Sequence, residues 1–214
     1  MKTGILFDLD GTLLDTLEDL LDATNYALAA YGHPPRTLKE LRRFVGNGAE
    51  NQIRLSLPED RKEDLPQVLA AYKPYYTAHC QIKTKPYECV LSALEVLGEK
   101  YPIAIVSNKP DAAVKELCSQ YFPGLYALGE IAGCPRKPAP DMVFKAMKDI
   151  GVERCVYVGD SEVDVLTAKN SGMPCVCVLW GFRDREDMEA VGGSIYCERT
   201  EDLVSIIEET IHGQ

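Results

Sequence analysis

Thr3-Gly4-Ile5-Leu6-Phe7-Asp8-Leu9-Asp10-Gly11-Thr12-Leu13-Leu14-Asp15 is the stretch on which the reading of this chain turns. Residues 3–7 form an apolar run that reads as a buried strand, and Asp8 and Asp10 fall where the strand gives way to a loop. At strand spacing, side chains two residues apart point the same way. Two anions held that close repel each other unless a cation joins them. A hard, oxygen-seeking ion such as Mg²⁺ meets that need. Gly11 allows a sharp turn away from the strand, and Thr12 adds a hydroxyl beside the acids. An aspartate next to a divalent cation can attack phosphorus and form an aspartyl-phosphate. On these residues alone, the competing reading is a strand edge whose acids face solvent.

Composition narrows the field. With 214 residues, the chain can bury one good core and a smaller module. Its 46% hydrophobic and 26% charged residues are ordinary for a globular protein. A net charge of -10 repels polyanions, which argues against nucleic acid as a partner. No apolar stretch reaches the roughly 18–20 residues of a membrane span. The N-terminus opens directly on a strand with no basic segment before it, so no secretory signal is expected and a reducing, cytoplasmic setting is. The eight cysteines include no C-x-x-C pair and sit mostly inside expected helices or strands as small hydrophobes. Cys175 and Cys177 share a strand face, and packing outweighs a metal or redox role for them. His33, His79 and His212 are scattered and are not read as ligands.

The order of patterns along the chain is informative. After the first strand, Leu17, Leu20, Leu21, Thr24, Leu28 and Tyr31 recur at helical spacing. Gly32-His33-Pro34-Pro35 ends that helix, and Thr37-Leu38-Lys39-Glu40 reads as a capping box for the next. Residues 65–79 form a further helix, with a bend expected at Pro74. Residues 15–82 thus read as all-helical, too long for a strand-to-helix loop, and are taken as an inserted cap. From Pro86 onward, short apolar runs alternate with helices. Strands are expected at 102–106, 126–131, 154–158, 174–179 and 194–197. That alternation implies parallel strands buried on both faces. The expected architecture is an α/β doubly wound parallel sheet, formed by residues 1–14 and 83–214 and interrupted by the helical cap. Ligands then bind at the carboxyl ends of the strands.

Four separated motifs carry a resemblance over nearly the whole chain. They are Asp8-Leu9-Asp10-Gly11-Thr12; Ile103-Ala104-Ile105-Val106-Ser107-Asn108-Lys109; Lys137-Pro138; and Val156-Tyr157-Val158-Gly159-Asp160-Ser161-Glu162-Val163-Asp164. With these, the chain resembles the haloacid dehalogenase superfamily of phosphotransferases and, within it, the phosphoglycolate-phosphatase-like branch with a helical cap. The resemblance implies a Mg²⁺-dependent phosphatase acting on a small phosphate ester.

Each motif also has a chemical reading. Asp8 is the nucleophile. Asp10 is the general acid for the leaving alkoxide and then the base for water. Thr12 orients Asp10, or is a plain turn residue. The hydroxyl of Ser107 and the backbone N–H of Asn108 serve phosphate oxygens, although a Ser-Asn pair before Pro110 also fits a helix cap. Lys137, in a proline-rich segment that fixes its direction, neutralises Asp8 and the transferring phosphoryl group, against the alternative of a solvated lysine. Asp160 is expected to ligate the metal directly and Asp164, one helical turn on, from behind it. The family comparison adds the backbone carbonyl of Asp10 as a ligand. Glu162 and Arg136 are expected to face away.

Rival readings differ in detail. A phospho-acceptor signalling domain would place its acidic pair after the first strand and its acceptor after a later one. A metal-free dehalogenase would not need Asp10. A sugar-phosphate mutase would carry a cation just after the cap-loop glycine, whereas Gly46 is followed by Asn47-Gly48-Ala49-Glu50-Asn51-Gln52. Arg42, Arg43 or Arg54 are the cationic candidates nearby. Pyrophosphate and nucleoside monophosphates are alternative substrates within the same superfamily, and the oligomeric state is not readable.

Overall fold

The computed structural model describes residues 2–213; residues 1 and 214, the outer ends of the expected core, lie outside the described residues. Strand β1 (Thr3–Phe7) is the centre of the fold. Its Ile5, Leu6 and Phe7 are all fully buried. Side chains alternate between faces along a strand, so Ile5 and Phe7 join one apolar cluster and Leu6 joins another on the opposite face. A strand this apolar is stable only when both faces are covered.

The remaining strands of this sheet are β4 (Ile103–Pro110), β5 (Tyr126–Glu130), β6 (Arg154–Gly159), β7 (Cys175–Val178) and β8 (Ile195–Cys197), in the order β5-β4-β1-β6-β7-β8. Every pairing is parallel. Helices α5 (Val90–Gly98), α6 (Asp111–Tyr121) and α10 (Leu203–His212) bury Leu97, Leu117 and Ile207 against the Ile5–Phe7 face. Helix α7 (Asp141–Ile150) buries Met142, Val143 and Ala146 on the Leu6 face, joined there by Ala168 of α8 (Glu162–Asn170). A short helix, α9 (Arg185–Glu189), precedes β8. This is the expected three-layer α/β fold. The chain leaves β1 toward β4 and β5 and returns on its other side through β6, β7 and β8. The carboxyl ends of β1, β4 and β6 therefore meet at the switch point, where such sheets bind ligands.

Between β2 (Leu14–Asp15) and β3 (Lys85–Pro86) lie four α-helices: α1 (Leu17–Ala30), α2 (Leu38–Phe44), α3 (Gly48–Ser56) and α4 (Leu65–His79). The expected capping box is present: Glu40 N donates to Thr37 Oγ1 at 3.3 Å and Thr37 N donates to Glu40 Oε2 at 2.8 Å. Helix α4 carries Pro74 in its interior and buries Val68, Tyr72 and Tyr76, residues four apart that line one face. The pairing of β2 with β3 was not anticipated. They form an antiparallel ribbon, Leu14 opposite Pro86 and Asp15 opposite Lys85, so the chain enters and leaves the helical insertion side by side. Two-residue strands have no periodicity to read. Asp19, in the first turn of α1, binds the exit segment by accepting from the N–H groups of Lys83 at 3.0 Å and Thr84 at 2.8 Å.

All eight cysteines are free. Burial pushes the thiols of Cys118 and Cys155 up to about 12, which keeps them protonated at neutral pH. Among the described residues, no helix is long and apolar enough to cross a membrane.

Candidate active site

The loop after β1 folds back on itself at once. Gly11 N donates to Leu14 O at 2.9 Å and Leu14 N to Leu9 O at 3.0 Å. Gly11 adopts φ 81°, and a Cβ there would lie 2.2 Å from Asp160 Oδ2. Both the backbone conformation and the close approach demand glycine. The tight turn determines what touches Asp10. Thr16, not Thr12, donates its hydroxyl to Asp10 Oδ1, at 2.6 Å. The expected role of Thr12 is thereby corrected: its buried Oγ1 has no hydrogen-bond partner among the described residues. Its carbonyl instead accepts from Trp180 Nε1 at 3.0 Å.

Asp8, at the end of β1, lies beside Lys137, whose Nζ is 2.9 Å from Asp8 Oδ1 and 2.8 Å from Asp164 Oδ1. The same ammonium donates to the Tyr157 hydroxyl at 2.9 Å. Tyr157 in turn donates to the Val106 carbonyl at 3.1 Å, tying the group to β4. Lys137 is fully enclosed, so it is not a solvated surface lysine. Asp164 closes a capping box at the start of α8, its Oδ2 accepting from Ser161 N at 3.1 Å and Ser161 Oγ at 2.6 Å. Asp160 Oδ2 accepts from Phe182 N at 2.6 Å.

Asp8, Asp160 and Asp164 each place a carboxylate oxygen within 4.8 Å of the others. The Lys137 ammonium pairs with two of these three buried acids, so positive charge is in deficit. Burial, opposed by Lys137 and helped by Asp164 and Asp10, raises the Asp8 carboxyl to about 6. Burial, then Asp164 and Asp8, hold Asp160 well above the usual carboxylate range. Although burial opposes its charge, Asp164 and Asp8 keep Lys137 well above the ordinary lysine value. Carboxylate oxygens crowded in this way fit a hard divalent cation such as Mg²⁺. Both Asp164 oxygens are already engaged, which leaves Asp8 and Asp160 as the acids that could hold such an ion directly. The Asp10 side chain stands outside this cluster. Its carboxylate turns to Thr16 and to Lys109, leaving only its backbone carbonyl for the expected ligand role.

Ser107, Asn108 and Lys109 belong to β4, which continues to Pro110 with a register shift after Val106. The strand therefore carries them into the site, and the helix-cap reading does not hold. The Asn108 side chain is a staple. It donates from Nδ2 to Lys137 O at 2.9 Å and to Gly46 O at 3.1 Å, and accepts from Lys137 N at 2.8 Å. It joins the lysine loop to the Gly46 loop of the insertion. Lys109, to which the sequence reading assigned no role, places its ammonium 2.8 Å from Asp10 Oδ1 and donates to the Tyr76 hydroxyl of α4.

The cleft between sheet and insertion is lined by Asp8, Asp10 and Ser107 from below and by Gln52, Tyr72 and Tyr76 from above. It holds about 30 Å³, more than the roughly 10–15 Å³ that admits a single water on this measure. Arg42 and Arg43 do not line it. Arg42 pairs with Asp184 at 3.1 Å and donates to Gly181 O at 3.3 Å. Arg183 grips the end of α2, donating to the carbonyls of Arg42 and Val45 at 2.7 Å each, and pairs with Glu162 at 3.0 Å. Glu162 thus faces away from the acids, as expected. Arg136 lies 3.9 Å from Glu130.

Residues 5–178 match the haloacid dehalogenase-like hydrolase family model. The chain belongs to that family. A phosphoglycolate phosphatase of Xylella fastidiosa is 35% identical over 86% of this chain and 82% of its own length. Phosphoglycolate phosphatase 1 of Pseudomonas aeruginosa is 30% identical over 96% of this chain and 79% of its own. A crystal structure from Lactobacillus delbrueckii subsp. bulgaricus, provisionally named a phosphoglycolate phosphatase, superposes with a TM-score of 0.90. It is 38% identical and covers 97% of this chain and 99% of its own. This haloacid dehalogenase-like hydrolase is a phosphatase, as the motif resemblance implied.

Proposed function

We propose that this phosphatase hydrolyses a small, acidic phosphate monoester, phosphoglycolate first, through a phosphoaspartate on Asp8 and with Mg²⁺ as cofactor. The observation that carries the reading is the buried Lys137 held 2.9 Å from Asp8 within a cluster of three acids. Mg²⁺, held by Asp8 and Asp160 with Asp164 behind them, would supply charge neutralisation for the phosphoryl oxygens. An Asp8 oxygen attacks phosphorus, and the ester oxygen leaves with a proton from Asp10. Water then attacks the same phosphorus, Asp10 takes its proton, and orthophosphate departs as the Asp8 carboxylate is restored. Lys137 stabilises charge in both steps. Ser107 Oγ and the backbone N–H of Asn108 hold the phosphate. Thr16 steadies Asp10 in place of the expected Thr12.

Residues 15–82 serve as a cap over the core formed by 1–14 and 83–214. The cleft lies between the sheet and the helices of the insertion, so substrate enters when the helices swing aside on the β2–β3 ribbon. Closure then shields the phosphoenzyme from stray water.

The test is a panel with Mg²⁺ containing phosphoglycolate, pyrophosphate, a nucleoside monophosphate and β-glucose 1-phosphate. Mass spectrometry of the trapped enzyme follows the Asp8 peptide. Phosphoglycolate is expected to give the highest kcat/KM, and phosphate to appear on Asp8. Full activity in EDTA overturns the cofactor. A tenfold preference for pyrophosphate or a nucleotide overturns the substrate, and conversion of β-glucose 1-phosphate to glucose 6-phosphate faster than phosphate release points to a mutase.

A further inference from the structure

The cleft contains a cation that the mechanism above does not use. We infer that Lys109 recognises a carboxylate on the leaving group of the substrate, making this site selective for phosphate esters of short hydroxy acids. The inference rests on the proposed function and deepens it.

Three observations converge on Lys109. Its side chain is only 1% exposed, yet it lines the cleft, and among the described residues that do so it is the only cation. It sits 2.8 Å from Asp10 Oδ1, the acid that serves the ester oxygen. A cation touching that acid lies beside the leaving group, whereas Lys137 sits with Asp8 and Asp164 beside the phosphoryl group. In phosphoglycolate the carboxylate carbon is two bonds from the ester oxygen, so its oxygens fall next to whatever neighbours Asp10. Finally, an ammonium has three donors. Asp10 and the Tyr76 hydroxyl take two of them, and the Tyr76 ring lies 4.5 Å from the nitrogen.

The walls sharpen the selection. Leu20, Val45 and Ala49 also line the cleft. A carboxylate closed in against them without a partner would be costly, and Lys109 supplies that partner. Tyr76 comes from the insertion, so the receptor is complete only when the cap is down.

The experiment compares phosphoglycolate with 2-hydroxyethyl phosphate, which has the same length but a neutral leaving group, on the Mg²⁺-loaded enzyme. The unaltered protein is expected to favour phosphoglycolate by tenfold or more in kcat/KM. Lys109→Gln is expected to shrink that ratio at least tenfold, chiefly through the KM of phosphoglycolate. Equal losses on both esters mean that Lys109 acts only by positioning Asp10, and the inference fails. A ratio near one in the unaltered protein also overturns it, whatever the variant does, while leaving the phosphatase reading intact. A protein inactive on every ester in the panel overturns both.

Discussion

Lys137 and Lys109 are equally hidden, each with a side chain 1% exposed, but their surroundings differ in kind. Lys137 is surrounded by groups of the sheet and its helices: Asp8 after β1, Tyr157 in β6 and Asp164 in α8. Lys109 pairs with Asp10 below it and with Tyr76 of α4 above it. The first lysine is bound into the core whether the insertion is near or far. The second has half of its environment brought by the insertion. On the function proposed here, the sheet edge supplies the chemistry and the insertion supplies the choice of substrate.

The contrast can be broken most decisively at the nucleophile. Asp8→Asn is expected to abolish turnover and phosphoenzyme while the far-UV circular dichroism stays native. Asp10→Asn is expected to slow turnover by about 10²–10⁴-fold, the scale of acid–base assistance. Substantial turnover by Asp8→Asn would remove the chemical role assigned to the sheet edge.

Stability separates the two lysines. Lys137→Gln leaves Asp8 and Asp164 buried without their cation, and is expected to cost about 3–5 kcal/mol in urea unfolding. Lys109→Gln uncovers a single, partly exposed acid and should cost about 1–3 kcal/mol. Equal costs would erase the distinction between a core cation and a cleft cation.

A smaller effect concerns pH. The folded Asp8 carboxyl, raised to about 6 by burial, binds its proton more tightly than the unfolded one at 3.8. In the metal-free protein, its contribution therefore favours the folded state below about pH 4 and is lost as pH rises through about 6. The loss is of order 3 kcal/mol at about 1.4 kcal/mol per unit. In EDTA, the unfolding free energy of wild type relative to Asp8→Asn should fall across that window, and Mg²⁺ should restore it at pH 7. A parallel pair of curves would show that Asp8 is not under charge strain.

The smallest effect is expected from Arg183→Gln, which loosens the grip on α2 without touching the acids. KM should rise by less than about tenfold with kcat little changed, and hydrogen exchange should quicken in α2 and α3. Exchange confined to 181–185 would mean that Arg183 does not hold the insertion down.

Much of this molecule is legible in short-range pattern. The apolar runs at 102–106, 154–158 and 174–179 read as strands because burial on both faces leaves no polar alternation, and the structure forms them at Ile103–Pro110, Arg154–Gly159 and Cys175–Val178. The helical tract after Asp15 reads from its spacing, and the capping box at Thr37 from two residues three apart. Asp8, Lys137, Asp160 and Asp164 stand in recognisable motifs at strand ends or in the loop and helical turn beyond them, so topology brings them to one edge of the sheet. Tertiary structure decided what depends on contacts far apart in the chain. Thr16 displaced Thr12 at Asp10 because the turn after Gly11 folds the chain back on itself. The Arg183 grip spans 138 residues to Val45, and the Lys109–Tyr76 contact spans 33. Neither pair leaves any local periodicity. A motif records what one segment must be to sit at a strand end; which segment closes over it follows from how the helices pack, and that is a property of the whole chain.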